Sequence, residues 1–146
     1  MKFHIKALEA INSIELHKIF KLRVDVFVVE QECSYEEIDN KDIKAKHIYL
    51  KDNDNIVAYL RVLPPGIAYK EASIGRVLVN SDYRGQAYGK QIMNKGIDYC
   101  KLHYSGNIKI SAQAYLEEFY TSLGFEKVSN IYLEDNIPHI DMLYYN

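Results

Sequence analysis

The segment that most constrains the fold is residues 73–112, where an apolar run leads through a glycine-containing turn into a helical pattern. The run "IGRVLV" is rich in β-branched residues and is typical of a buried strand. After the turn, Met93, Ile97 and Cys100 recur at helical spacing, and the alternation in "IKISA" then predicts another strand. Because a strand, a helix and a second strand in succession favour a parallel pair, this segment predicts a mixed α/β fold.

The rest of the chain adds elements to give the order β-α-β-β-β-α-β-α-β-β. Residues 3–8 alternate weakly and predict an edge strand, and Ser13 is the expected cap of a helix that continues through Phe27. Two β-rich runs flank "DNDN" and predict a hairpin, whereas "SYEEIDNKDIKAK" predicts a loop or short irregular helices. A short helix, "YLEEFYTSLGF", is expected to end at Gly124, and a strand, a turn and a strand complete the chain.

Length and composition limit the class of protein. The 146 residues suit a single domain, residues 1–146, and the net charge of −2 lacks the signature of a general nucleic-acid binder. No apolar run is long enough to span a membrane, and the N-terminus lacks the apolar core of a signal peptide. Cys33 and Cys100 are far apart and form no paired framework. We therefore expect a cytoplasmic protein without membrane or nucleic-acid partners.

The turn "RGQAYGK" has a composition suited to an anion. A helix N-terminus presents free N–H groups and partial positive charge, and Gly85 and Gly89 allow close approach to the backbone. These features favour a phosphate or pyrophosphate. The turn does not match a Walker loop, because its glycines are one residue too close and Gln91 replaces the Ser or Thr that binds magnesium. A glycine-rich helix start that binds nothing is the alternative.

Several stretches in the same order resemble one known family. The pattern R-x-x-[GA]-x-G in "RGQAYG", after "GRVLV", resembles the pyrophosphate loop of the GNAT N-acetyltransferase superfamily, and "FYTSLGF" resembles its late helix. The stretches "LRVDVFVVEQECSYEEIDNKD", "AQAYLEEFYTSLGF" and "YLEDNIPHIDM" are similar to its ElaA-like branch. The resemblance covers roughly residues 20–142. It implies the GNAT fold, a mixed central sheet of six to seven strands flanked by helices, with splayed central parallel strands.

The resemblance also implies a reaction and a cosubstrate. GNAT proteins move the acetyl group of acetyl-CoA to a primary amine by direct attack in a ternary complex, without a metal. Here the backbone of Leu78 and Val79 would pair with the pantetheine arm, and a backbone N–H near Leu78 would polarise the thioester carbonyl. The pyrophosphate would lie on the turn, with Arg84 and Lys90 adding charge or remaining solvated. The implied turn residues are Arg84, Gly85, Gln86, Ala87, Tyr88, Gly89 and Lys90.

One residue of the turn departs from the family. Ala87 stands where most GNAT members carry glycine. If the position needs a positive φ, alanine costs about 1 kcal/mol; if it is helical, alanine is harmless. We expect the helical conformation, because Ala87 lies at the helix start.

The resemblance assigns Tyr120 as the general acid that hydrogen-bonds the departing CoA thiolate. The general base is open: Glu30 in "VVEQ" and His139 in "IPHI" are the first candidates. Glu134, Asp135 or a water that carries the proton to bulk solvent are further alternatives. Arg76, a charged residue in an apolar strand, would bind substrate or pair with an acid such as Glu30.

The remaining expectations concern a metal site, a homodimer, the acceptor and an alternative function. Asp39, Asp42 and His47 form D-x-x-D-x-x-x-x-H, but nothing fixes this spacing on one face, so a polar loop is expected rather than a metal site. The last strand, "HIDMLYY", ends in an aromatic edge that would allow a homodimer. The acceptor amine is not identified by the sequence. A CoA-binding sensor or interaction module on the same fold, without turnover, is the alternative function.

Overall fold

The computed structural model describes residues 1–146, and all of its strands lie in one sheet. The helices are α1 (Ser13–Val24), α2 (Tyr88–His103) and α3 (Glu117–Ser122). The strands are β1 (Lys2–Ala7), β2 (Lys46–Asp52), β3 (Asn55–Leu63), β4 (Ala72–Val79), β5 (Ile108–Gln113), β6 (Phe125–Lys127), β7 (Tyr132–Glu134) and β8 (Ile137–Tyr144). The strand order is β1-β2-β3-β4-β5-β8-β6, with β7 also paired to β8. The mixed α/β class is confirmed.

The sheet has 8 strands, one more than the sequence predicted. The additional strand, β6, has only 3 residues, too few to show a periodic pattern. The first helix also differs: the side chain of Asn12, not Ser13, caps α1 by accepting from the Glu15 N–H at 2.9 Å. α1 then continues as a π-helical segment (Asp25–Glu30) instead of remaining α-helical through Phe27.

The two central parallel strands diverge. β4 and β5 pair only at Ala72–Ile108 and Ser73–Lys109. Beyond this point β4 stays paired to β3 as far as Val79, and β5 stays paired to β8 as far as Gln113. The gap between them leaves one edge of β4 without a strand partner. The predicted splay of the central parallel strands is confirmed.

A β-bulge sits in β4 at the start of this gap. Arg61 pairs with Gly75 and Tyr59 pairs with Leu78, so that two β4 residues lie opposite one β3 residue. The first of the two, Arg76, has a φ of +52°, a left-handed conformation that is uncommon outside glycine. Bulges of this kind redirect side chains and end strand pairing.

The core lies on both faces of the sheet. On one face, α2 packs Ile92, Met93 and Ile97 onto the strands, and a Cβ on Gly96 would lie 3.0 Å from the Leu60 Cδ2, so glycine permits the close approach of helix and sheet. On the other face, α1 packs around the fully buried Ile19. None of the helices is long and apolar enough to cross a lipid bilayer.

The last strand is not a free edge. β8 pairs with β5 on one side, and with β7 and β6 on the other. The aromatic edge that would have allowed a homodimer is already occupied, because the short strand β6 pairs with residues 142–144.

Candidate active site

A cavity of about 900 Å³, hereafter the cleft, opens where β4 and β5 diverge. The second half of β4 forms one wall, and side chains of β5 and β8 form the opposite wall. The π-helical segment and the loop after it contribute the remaining side. Of the predicted site residues, the cleft brings together Glu30, Arg76, Leu78, Val79, Arg84, Tyr120 and His139.

The turn into α2 lies next to the cleft and presents unpaired amides. Gly85 has a φ of +79° and Ala87 a φ of +64°, and α2 begins at Tyr88. The first bond of α2 runs from the Gln91 N–H to the Ala87 carbonyl at 3.2 Å. The backbone N–H groups of residues 85–90 donate no hydrogen bond within the protein. Six free N–H groups at one helix N-terminus form an environment suited to an anion.

The expected helical conformation of Ala87 is wrong. Its φ of +64° and ψ of +19° place it in the left-handed region as the N-cap of α2. The turn needs this conformation to bring the chain from β4 into the helix, and sequence periodicity does not report the conformation of the residue before the first helical turn.

We expect Ala87→Gly to stabilise the protein by about 1 kcal/mol and raise Tm by about 3 °C, because glycine removes the steric cost of positive φ. Thermal unfolding followed by circular dichroism measures the change. The reciprocal control is Gly85→Ala, which should lower Tm by a similar amount because Gly85 also has a positive φ. Equal Tm values for the three proteins would contradict the assigned strain.

An ion pair links the turn to the π-helical segment across the mouth of the cleft. The Arg84 Nη1 and Nη2 donate to the Glu30 Oε1 and Oε2 at 2.5 and 2.8 Å, and the Arg84 Nε donates to the Val79 carbonyl at 3.1 Å. The hydrogen bond from Arg84 lowers the pKa of the Glu30 carboxyl. Glu30 is thereby a weaker base, and its partner is Arg84 rather than Arg76 as the sequence suggested.

Arg76 instead joins a buried group of three arginines and three carboxylates, hereafter the arginine cluster. The Arg76 Nε donates to the Glu37 Oε2 at 2.9 Å, and its Nη2 donates to the Glu37 carbonyl at 3.1 Å and the Asp39 Oδ2 at 3.4 Å. Arg23 from α1 and Arg61 from β3 complete the cationic side. The cluster consists of Arg23, Arg61, Arg76, Glu37, Asp39 and Asp42.

Arg23, Arg61 and Glu37 were not predicted as site residues from the sequence. Arg23 and Arg61 lie inside the apolar patterns "FKLRVDVF" and "AYLRVL", which is the one signal that marks them as buried. Their side chains are 0% and 5% exposed. Buried guanidinium groups need carboxylate partners, and the loop after α1 supplies them. The cluster therefore fixes this loop against the sheet on one side of the cleft.

The arginine cluster predicts acid sensitivity. Burial alone would raise the pKa of Asp39, but the hydrogen bond and charge of Arg61, with the charge of Arg76, lower it to about 2. The unfolded value is about 3.9, so this contribution to stability is complete above about pH 4 and is lost as the pH falls toward 2.

We expect the free energy of unfolding to fall by about 1 to 2 kcal/mol from Asp39 alone between pH 5 and pH 2, as measured by urea titration at each pH. Asp39→Asn should be less stable at pH 6 and should lose this part of the pH dependence. A variant that retains the full acid dependence would show that other carboxylates are responsible.

The polar residues considered for a metal site have protein partners. The carboxylate of Asp42 accepts from Arg23 at 2.8 Å and from Arg61 at 3.0 Å. The two ring nitrogens of His47 lie 2.6 Å from the Tyr59 hydroxyl and 3.0 Å from the Asp42 carbonyl. No group of three His, Cys, Asp or Glu side chains is arranged to hold a metal ion.

Tyr120 extends from α3 into the floor of the cleft. Its ring packs edge-on against Phe119 and Phe125, and only 8% of the residue is exposed. Its hydroxyl makes no hydrogen bond within the protein. The hydroxyl oxygen also keeps some accessible surface, so it is not sealed in the core. Burial raises the pKa of Tyr120 to about 12, so the phenol is protonated throughout the physiological range. An unpaired O–H at a cavity wall is available to a bound molecule.

His139 lies on β8, paired with Gln113 of β5, and its ring faces the cleft. Its Nδ1 lies 2.6 Å from the Ile137 carbonyl oxygen, which accepts only, so Nδ1 carries a proton. In the neutral ring the lone pair is then on Nε2, 3.4 Å from the Glu134 Oε2. The ring stacks on Tyr132, which fixes its orientation. Nε2 is therefore the ring nitrogen of His139 that could accept a proton from a bound molecule.

The family described as "Acetyltransferase (GNAT) domain" matches residues 15–145 of this sequence. The chain belongs to the GNAT acetyltransferase family. Protein ElaA of Escherichia coli strain K12 is 41% identical over 131 residues, which cover 88% of this chain and 86% of ElaA. A UPF0039 protein of Schizosaccharomyces pombe is 39% identical over 145 residues, which cover 97% of this chain and 95% of that protein. The similarity to ElaA places the chain in the ElaA-like branch of the GNAT family.

Solved GNAT structures share its architecture. The crystal structure of E. coli ElaA superposes with a TM-score of 0.91 and 36% identity over 97% of each chain. The crystal structure of an acyl-CoA N-acyltransferase from Pseudomonas aeruginosa gives the same TM-score, identity and coverage. The expected GNAT fold is confirmed, and family membership supports an acyltransferase that uses a CoA thioester.

Proposed function

We propose that this GNAT protein transfers the acetyl group of acetyl-CoA to a primary amine by direct attack in a ternary complex. The observation that supports it most directly is the Tyr120 hydroxyl, which is unpaired at the wall of the cleft. The cleft itself lies between the two diverging parallel strands. The proposal includes the cytoplasmic location expected from the sequence, and it involves neither a metal nor nucleic acid.

The residues around the cleft fit a CoA thioester. The six unpaired N–H groups of residues 85–90 would hold the pyrophosphate, with the charge of Lys90 beside them. The edge of β4 at Leu78 and Val79 has no strand partner and would pair with the amides of the pantetheine arm. The Val79 carbonyl now accepts from Arg84, so we expect Arg84 to turn from Val79 and Glu30 toward the pyrophosphate when the cosubstrate binds.

The acceptor must lose a proton before it attacks. A primary amine with a pKa near 10.4 is neutral in only about one molecule in a few thousand at pH 7. We assign the base role to His139, which lines the cleft and whose Nε2 makes no hydrogen bond to the backbone, rather than to Glu30, whose carboxylate is held by Arg84. Removal of the proton by a positioned base is worth about 10²- to 10⁴-fold in rate.

The neutral amine then attacks the thioester carbon, and the electron pair of the carbonyl moves to its oxygen. A backbone N–H near Leu78 would stabilise this oxyanion. Collapse re-forms the carbonyl and breaks the carbon–sulfur bond, and the second proton of the attacking nitrogen passes through solvent to the thiolate, so that the products are a neutral amide and the CoA thiol. The Tyr120 O–H donates a hydrogen bond to the departing thiolate. Complete proton transfer from a phenol of pKa about 12 to a thiolate near 8.5 is about 5 kcal/mol uphill, so Tyr120 acts chiefly as a hydrogen-bond donor.

Calorimetric titration with acetyl-CoA, beside a thiol-release assay with a panel of primary amines, tests the proposal. We expect binding, a rise in Tm on binding, and thiol release that depends on at least one amine. Binding without turnover across the panel would support the CoA-binding sensor instead. Neither heat nor thermal protection would exclude both functions.

A further inference from the structure

The cleft contains two groups of side chains with opposite hydrogen-bonding character. We propose that the acceptor is a dipolar molecule, a primary amine that also carries a carboxylate. This inference rests on the proposed function and adds the chemical class of the acceptor. Its support comes from a carboxylate beside His139 that has no cationic arginine or lysine partner, and from donors of Arg76 and Lys41 that make no hydrogen bond within the protein.

The amine end would lie between His139 and Glu134. The Ile137 carbonyl engages the His139 Nδ1, so Nε2 is the ring nitrogen left to take up a proton, and the carboxylate oxygen Glu134 Oε2 lies 3.4 Å from it. The Ser111 Oγ lies 3.5 Å from the same carboxylate oxygen. No arginine or lysine of the protein pairs with Glu134. An ammonium group supplies the donors that this arrangement lacks, and His139 can then accept its proton.

The carboxylate end would lie at Arg76 and Lys41. The Arg76 Nη1 donates no hydrogen bond, although its Nε and Nη2 are bound to Glu37. Lys41 is an exposed residue of the loop after the π-helical segment; its charge acts on Asp39, whose carboxylate is paired with Arg61 and Arg76 instead. Both residues line the cleft.

The arginine cluster explains why these donors remain free. Its three carboxylates already accept from three guanidinium groups, so the cluster is neutral, and Lys41 adds a further positive charge near Asp39 without forming an ion pair with it. The net positive charge of Lys41 and the open Nη1 of Arg76 are then available to an external anion. A carboxylate matches them with charge-assisted hydrogen bonds, whereas a neutral amide does not.

The test uses the full chain with saturating acetyl-CoA and pairs of acceptors that differ only at the carboxylate. The panel contains L-α-amino acids and ω-amino acids of increasing length, each compared with its C-terminal amide. We expect at least one free acid to have a kcat/KM about tenfold or more above that of its amide. In each pair, the ammonium group of the amide is more acidic than that of the free acid, so the amine of the amide is neutral more often. This difference favours the amide as acceptor and therefore works against the proposal.

A charge-removing variant localises the effect. Lys41→Gln should raise KM for the preferred free acid about tenfold, leave kcat nearly unchanged and have little effect on the amide. Lys41→Arg should restore the low KM. The matched control is Lys44→Gln, because Lys44 is an exposed lysine close in sequence that does not line the cleft.

The outcomes separate the two proposals. Amides consumed as well as free acids would overturn the dipolar acceptor and leave the acetyltransferase in place. If Lys41→Gln and Lys44→Gln reduce the preference for free acids equally, Lys41 does not bind the carboxylate, and the assigned position of the carboxylate is wrong. No consumption of any amine, with acetyl-CoA bound, would overturn both the acceptor class and the acetyltransferase.

Discussion

Tyr120→Phe is expected to lower kcat about 100-fold while the Kd for acetyl-CoA changes by less than about twofold. The ring remains packed between Phe119 and Phe125, so the fold and the open edge of β4 are retained. The variant lacks only the O–H that would stabilise the thiolate as the carbon–sulfur bond breaks, and a single donor of this kind is worth about 10²-fold. A thiol-release assay measures kcat, and calorimetric titration with acetyl-CoA measures Kd.

The matched control is Tyr145→Phe, which removes a hydroxyl from an exposed tyrosine outside the cleft. Its kcat should equal that of the unaltered protein. Burial raises the Tyr120 pKa to about 12, so this residue should produce no alkaline decline in rate below about pH 11. Turnover of Tyr120→Phe at the unaltered rate would remove the donor role, and weakened cofactor binding would point to a binding role instead.

The parts of the fold that follow from local periodicity were predictable. The apolar run of β4, the helical spacing in α2 and the alternation in β5 each report a buried face, and together they fixed the central parallel pair. The turn between them was recognised by its small residues. The splay itself was expected only from the family resemblance, because no periodicity encodes where two parallel strands separate.

The features that were predicted wrongly, or not at all, depend on the backbone conformation of single residues or on partners that are distant in sequence. The positive φ of Ala87 follows from the geometry of one turn, and alanine is not a residue from which a left-handed conformation is expected. The partner of Glu30 is 54 residues away, so the ion pair with Arg84 had no local signal. The arginine cluster likewise joins α1, the polar loop and two strands. Such side-chain pairings appear only once the elements have packed.

His139→Gln is expected to lower kcat/KM by about 10²-fold at pH 7 with the ω-amino acid that the unaltered protein acetylates best. Glutamine retains a polar side chain of similar reach, but its amide has no group that takes up a proton near neutral pH. The deficit should shrink as the pH approaches 10, because the acceptor amine then deprotonates without assistance. A pH series of kcat/KM for both proteins measures this convergence.

The convergence distinguishes a base from a structural residue, since a misfolded cleft would lower the rate by the same factor at every pH. Acceptors with less basic amines should reduce the deficit in the same way at a fixed pH. His103→Gln, an exposed histidine of α2 outside the cleft, controls for the loss of an imidazole. The same pH series on Glu30→Gln decides between the two candidate bases. If Glu30→Gln shows the pH-dependent deficit and His139→Gln does not, the proton passes to Glu30 after Arg84 has turned toward the pyrophosphate.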